Sequence, residues 1–295
     1  MQRILIPIDF SDHSLAAARL GVAVAARFSG RVTLLHALDL FSHTSVPPQV
    51  FSSYKKEQLD SSTRELQALK DDLAKTAENV EILTEVIADE AAHAILSNAD
   101  TTQADLIVMG SYGSKSGERF ALGSVANRVG RRATCPLLIT RAQQPAPANG
   151  LFRQPMVAVD YSKFSVPSVE LAVLLSAPES VIEMLHIVHW PGERDQESLK
   201  TALGEVRASE LERLQTLSHN IDIAPVRVAV RTEVGRVAGE LISYVESSDI
   251  DLVVVGAHGS PDRSPYIGTV ADRVLRTSAV PVLLLPEEYV AGREP

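Results

Sequence analysis

The chain has 295 residues, 45% of them apolar, and a formal charge of −9. That length suits one large domain or two of about 150 residues, the acidic balance argues against nucleic acid and anionic membranes as partners, and no run of about eighteen apolar residues offers a membrane span. The single cysteine, Cys135, excludes an internal disulfide, and the Met1–Pro7 stretch is too short and too soon interrupted for a signal peptide, so the expected setting is a reducing cytoplasm.

Apolar strands alternate with amphipathic helices from the start. In the first half, strands are predicted at about Arg3–Ile8, Arg31–Ala37, Val80–Ala88, Ala104–Met109 and Leu137–Arg141. Helical patterns fill the gaps, and Leu59, Thr63, Leu66, Leu73 and Ala77 mark one apolar face of a long helix. Strands separated by helices of this length imply right-handed parallel βαβ units. Residues 143–154, rich in Pro and small polar side chains, read as a linker. The pattern then restarts. Met156–Asp160 mirrors the end of the first strand, Leu185-His186 mirrors Leu35-His36, and Leu252–Gly259 mirrors Leu106–Gly113. Asp160 follows Asp9 by 151 residues and Gly256 follows Gly110 by 146, so only small gaps intervene. The fold class is therefore α/β: two tandem Rossmann-like modules, 1–142 and 155–290, each with a five-stranded parallel sheet covered on both faces.

The most informative stretch is Leu106 to Val125. A strand breaks into Gly110 and Gly113, nine residues follow, and Gly123, Ser124 and Val125 open a helix. Strand, glycine loop and helix start together set bare backbone N–H groups and a positive helix end against phosphate. Taken alone, Gly110 and Gly113 read first as a tight turn that needs positive φ, whereas Ser124 could cap the helix or bond a phosphate oxygen. The stretch recurs as Gly256, Gly259, Gly268 and Thr269, with eight residues in place of nine and prolines at 261 and 265. One residue fewer shortens an extended loop by roughly 3 Å, and each proline removes an N–H donor. Asp9 and Asp160, at the ends of the first strands, fit either an Asx turn over the next helix or a carboxylate facing a ribose or base. His36 and His186 read as structural, Cys135 as a packed thiol, and Asp71, Asp72, Glu78 and Glu81 as a solvated face. Ser52–Lys55 matches S-x-x-K no better than chance. No Walker loop, zinc motif or nucleophile elbow is present.

These residues resemble the universal stress protein family in its tandem two-domain form, whose ATP-binding members share G-x2-G-x9-G-S/T. Gly110, Gly113, Gly123 and Ser124 match with full spacing, and the likeness extends to the strand-end aspartate, the Leu-His and the proline before the last strand. The resemblance implies strand order 3-2-1-4-5 and an internal pseudo-dimer paired through the last strands. It places Pro7, Asp9 and Ala37 around adenine and ribose. Met109 and Gly110 would line the base side, and Gly113, Gly123, Ser124 and Val125 would hold phosphates. Lys115 and Arg119 lie in the intervening loop and could neutralise phosphate. The implied ligand is ATP, with magnesium, in the first module, and reduced binding is expected in the second. Three functions stay open: an ATP-binding stress-response regulator with little turnover, a scaffold independent of nucleotide, and a slow ATPase or self-phosphorylating protein acting on Ser114, Ser116 or Ser124. Expected partners are an adenine nucleotide, a protein that the sequence does not name and a second copy of the chain. The Phe41–Phe51 loop is either a partner contact or an entry to the long helix.

Overall fold

The computed structural model describes residues 1–39, 48–113, 122–142, 147, 150–190, 197–221, 226–259 and 267–292. The chain divides into two compact units, Met1–Gly150 and Leu151–Pro295. The first runs β1 (Arg3–Pro7), α1 (Asp12–Arg27), β2 (Arg31–Ala37), α2 (Pro48–Ala74), β3 (Glu81–Ile87), α3 (Ala91–Thr102), β4 (Leu106–Gly110), α4 (Ser124–Arg132) and β5 (Leu137–Thr140). The second runs β6 (Pro155–Ala158), α5 (Ser165–Leu174), β7 (Val181–His189), α6 (Glu197–His219), β8 (Arg227–Gly235), α7 (Val237–Glu246), β9 (Leu252–Gly256), α8 (Thr269–Thr277), β10 (Val282–Leu285) and α9 (Glu287–Ala291).

Within the first unit the strand order is β3-β2-β1-β4-β5, and within the second it is β8-β7-β6-β9-β10. Pairing is parallel, with Ile4 facing Val32 on one side and Leu106 on the other. The chain winds outward from β1 to β3, then returns to β4 on the opposite side of β1. Connections therefore diverge at the carboxyl ends of β1 and β4, which opens a crevice there. Helices cover both faces, so the central strands carry unbroken apolar runs. Ile4, Leu5, Ile6, Leu106, Ile107 and Val108 are all buried. On α1 the small residues Ala17, Ala18, Gly21 and Ala25 let the helix settle close to the sheet, and a Cβ at Gly21 would overlap the Ile6 side chain.

Two expectations need correction. On α2, Leu66 and Leu73 are buried as expected, but Thr63 is exposed and its hydroxyl donates to the Leu59 carbonyl at 2.7 Å. Ser62 takes the inward position instead, because a 3.6-residue pitch places i+3 from Leu59 and i−4 from Leu66 on one stripe. The expected linker is also partly structural. Leu151 and Phe152 are buried, the Phe152 N–H donates to Leu175 O at 2.9 Å, and Phe152 forms a bridge with Ser176. These residues belong to the second unit, because an apolar pair left in water forfeits its burial energy.

Gly150 has φ +69°, and a Cβ there would overlap the Ala23–Val24 backbone on α1. Left-handed geometry costs an L-residue about 1–2 kcal/mol before any overlap is counted. Gly150→Ala should lower the melting temperature by roughly 3 °C or more, since 1 kcal/mol moves a domain of this size by about 2–4 °C. Thermal denaturation followed by circular dichroism measures it, and an unchanged melting temperature would contradict the packing described.

Candidate functional site

The site in each unit grows from the turn after its first strand. Asp9 accepts from Ser11 N–H at 3.1 Å and from the Ser11 hydroxyl at 2.6 Å, both through Oδ1. Ser11 in turn caps α1 by accepting from Ser14 N–H at 3.3 Å. The second unit repeats this, with Asp160 Oδ1 accepting from Ser162 N–H at 2.9 Å and the Ser165 hydroxyl at 3.4 Å. The Asx-turn reading of both aspartates is therefore correct for Oδ1. Their Oδ2 atoms face the glycine loop. A Cβ added to Gly113 would lie 2.5 Å from Asp9 Oδ2, and one added to Gly259 would lie 3.1 Å from Asp160 Oδ2.

The strand-end histidines are structural. Nδ1 of His36 bonds the Ile8 carbonyl at 2.6 Å, and Nδ1 of His186 bonds that of Val159 at 2.7 Å. Each ring packs on an aromatic residue at positive φ just past the aspartate. Phe10 (φ 61°) lies 5.0 Å from His36, and Tyr161 (φ 59°) lies 4.7 Å from His186. This arrangement pins the turn that carries Asp9 or Asp160 to the neighbouring strand.

The glycines serve close approach, not left-handed backbone, since none of Gly110, Gly113, Gly123, Gly256, Gly259 and Gly268 has positive φ. A Cβ on Gly110 would meet the His13 backbone and Cβ at 2.8 Å, and one on Gly256 would meet the Phe164 side chain at 2.7 Å. Gly123 N–H donates to Ser111 O at 2.8 Å, and Gly268 N–H donates to Ala257 O at 2.7 Å. Each bond clips the start of a helix to the end of a strand. The shortened second loop thus leaves Gly268 in the same relation to its strand as Gly123, and the length difference falls between fixed ends. Gly123 and Gly268 are themselves the N-cap residues and supply no side-chain cap. Ser124 and Thr269 are the first helical residues, exposed, and do not cap. The first-turn N–H groups therefore have no intrahelical partner.

In the second unit these elements enclose a cavity of about 450 Å³. Its lining takes in Ala158, Asp160, Gly256, Gly259, Gly268 and Thr269, which are the second-module counterparts of Pro7, Asp9, Gly110, Gly113, Gly123 and Ser124. The volume falls in the ordinary range for small-ligand pockets, about 300–1,000 Å³. In the first unit Pro7, Asp9, Ala37, Met109, Gly110 and Gly113 stand together at the carboxyl ends of β1, β2 and β4, beside Gly123, Ser124 and Val125 at the start of α4. Lys115, Arg119, Ser114, Ser116, Pro261, Pro265 and most of the Phe41–Phe51 loop fall outside the described residues.

The sequence reading missed the cavity's back wall. Val237 and Leu241 on α7 line it, together with Phe164, Ile187 and His258. The i, i+4 spacing of Val237 and Leu241 could have marked an inward helix face, but nothing local says which crevice it faces. A phosphate-bearing nucleotide fits this chemistry: apolar walls at one end, with a carboxylate turn, bare N–H groups and close-approach glycines at the other. Magnesium held largely by phosphate oxygens and water asks for only one or two carboxylates, and Asp9 and Asp160 turn Oδ2 toward Gly113 and Gly259. Among the described residues no group of three or more potential metal ligands stands together. Cys135 is buried, and burial pushes its thiol up to about 12, which keeps it protonated and unreactive.

The family model described as the universal stress protein family matches residues 1–141 and again 152–286. A universal stress protein of Methanocaldococcus jannaschii is 32% identical over 144 residues, which is 48% of this chain and 82% of that protein. One from Mycobacterium tuberculosis is 25% identical over 296 residues, covering 95% of this chain and 96% of its own. The crystal structure of a universal stress protein from Archaeoglobus fulgidus has the same fold, with a TM-score of 0.65 at 18% identity over 96% of each chain. With the family's module matched twice in succession, this chain belongs to the universal stress protein family as a tandem two-domain member.

Proposed function

We propose that the chain is a nucleotide-binding regulator of a stress response that holds ATP in the first unit and a second nucleotide in the second, with little turnover. The observation that carries this reading is the clip from Gly123 to Ser111, and from Gly268 to Ala257, which sets an uncapped helix start beside the strand-order reversal. The cavity of the second unit, lined by the counterparts of the first-unit motif, supports the same reading. Pro7, Asp9, Ala37 and Met109 would surround base and ribose. The unpartnered main-chain amides of Ser124 and Val125 at the start of α4 would take the phosphates, with Gly113 and Gly123 giving them close approach. Asp160, Gly256, Gly259, Gly268 and Thr269 would play the matching parts in the second unit. The bound nucleotide supplies negative charge that the fixed amide dipoles stabilise. No general base or nucleophile is needed for a protein that reports occupancy, and catalysis plays no part in the proposal.

Nucleotide released by denaturing the purified protein and measured by chromatography should approach two equivalents per chain. Gly123→Val should remove one equivalent, and Gly123→Val with Gly268→Val both, because the added side chains crowd the Ser111 and Ala257 carbonyls. A double variant that folds and still carries nucleotide would overturn the reading in favour of a scaffold with its ligand elsewhere.

Added ATP should also raise the melting temperature by mass action. At a hundred times Kd the gain is about 2.7 kcal/mol, or roughly 5 °C or more. Differential scanning fluorimetry with ATP, ADP and AMP checks this, and a flat response to all three would contradict it.

A further inference from the structure

The first helix of each unit is tied to the end of the last strand, and the two ties differ in kind. Gly110 on β4 pairs with Thr140 on β5, and Gly256 on β9 pairs with Leu285 on β10. Two residues past these partners stand Ala142 and Glu287. In the first unit the Ala142 N–H donates to His13 Nδ1 at 3.1 Å. In the second, Phe164 takes the place of His13 over the glycine, and Lys163 beside it pairs with Glu287 at 2.8 Å. The start of α1 thus meets the chain leaving β5 through an imidazole, and the start of α5 meets α9 through a phenyl ring and an ion pair.

An N–H group donates to imidazole Nδ1 only while that nitrogen carries no proton, so the ring of His13 is neutral with its hydrogen on Nε2. A second proton would turn Nδ1 into a donor and set it against the Ala142 N–H. The groups around the ring bear on that proton. Burial first, then Arg141 past the end of β5, push the imidazole below its ordinary range, while Asp12 on α1 and Asp9 on the turn before it draw it back up. Tyr112 is buried past the end of β4, its ring 5.5 Å from the His13 ring and 5.9 Å from the guanidinium carbon of Arg141. His13 is also the second residue of α1, where the positive end of the helix adds to the cost of a cation.

We infer that His13 is an acid-operated latch on the first unit: a proton on its imidazole opens the bond to Ala142 and releases the chain leaving β5 from α1, while the second unit, with Phe164 in that place, has no such latch. In the unfolded chain the ring takes up a proton near its ordinary value, about 6.5. The fold resists that proton. Below that pH the unfolded state therefore binds more protons than the folded one, and stability falls as acid is added. The tie is complete above the ordinary histidine value and is lost as the pH falls through it toward the lowered one. A Cβ on Gly110 would meet the His13 backbone and Cβ at 2.8 Å, so the latch borders the first crevice. It does not depend on what that crevice binds.

The test uses the full chain without added ligand. It is compared with His13→Phe, which carries the ring of the second unit, and with His13→Asn, whose side-chain oxygen accepts without titrating. Hydrogen exchange at the Ala142 amide, corrected for the intrinsic rate, is followed from about pH 8 to about pH 5, the span over which a histidine changes charge. Protection should fall severalfold in the parent, stay high in His13→Asn and stay low in His13→Phe. Over the same span the melting temperature of the parent should drop by roughly 2–4 °C more than that of His13→Asn, the shift that one lost hydrogen bond produces in a domain of this size. Nuclear magnetic resonance should show the His13 ring of the parent titrating below its ordinary value. A parent whose Ala142 protection and melting temperature follow those of His13→Asn at every pH overturns the latch. So does a His13 ring that titrates at or above the ordinary value, a result read on the parent alone and so independent of whether either variant folds.

Discussion

One main-chain hydrogen bond per unit governs the candidate site: the amide of Gly123 to the carbonyl of Ser111, and that of Gly268 to Ala257. Each joins the start of a helix to the residue just past β4 or β9. Once that neck is closed, the helix start stands beside the strand-order reversal, whatever the length of the loop between. Glycine suits the position because the carbonyl of Ser111 or Ala257 lies 3.1 or 3.3 Å from where a Cβ would be, closer than a side chain ordinarily sits. A side chain there would crowd that carbonyl and press on the bond that holds strand end and helix start together.

The rest of the site is a set of braces around that neck. Asp9 and Asp160 spend one carboxylate oxygen on the serine turn, leaving the other against the glycine loop. The histidine at the end of β2 or β7 bonds the carbonyl before the aspartate and supports the aromatic residue after it. His13 lies over Gly110 and accepts from Ala142 N–H at 3.1 Å, while burial and the nearby Arg141 hold its imidazole below the usual range. A neutral ring suits an Nδ1 that must accept a hydrogen bond. The second unit puts Phe164 in that place, so packing is conserved between the units while the polar contact is not.

The two units share one scaffold and differ in rim chemistry. The start of α3 is capped by an acidic side chain, whereas α7 begins after Arg236 with no side-chain cap. Base-side volume also differs, since Ile187 stands where Ala37 does. A duplicated module can thus keep its backbone frame and vary the side chains around it.

Much of this was legible in the order of residues. Apolar strand runs, helical periodicity, the restart after residue 150 and the glycine spacing are local patterns, and each is dictated by which face of an element meets water. Strand limits agree with the structure to within one or two residues, and the candidate binding positions gather at one end of each sheet. What the order of residues could not decide depended on segments far apart in the chain. Whether the eight-residue loop displaced its helix turned on a bond between Gly268 and Ala257. That glycines served close approach and not positive φ turned on His13 and Phe164 arriving from another helix. That Leu151 and Phe152 belong to the second unit turned on Leu175 and Ser176, and that Val237 and Leu241 wall a cavity turned on where α7 packs. Periodicity fixes which side of an element is dry, but only the meeting of distant backbones sets the distances at which a cradle closes.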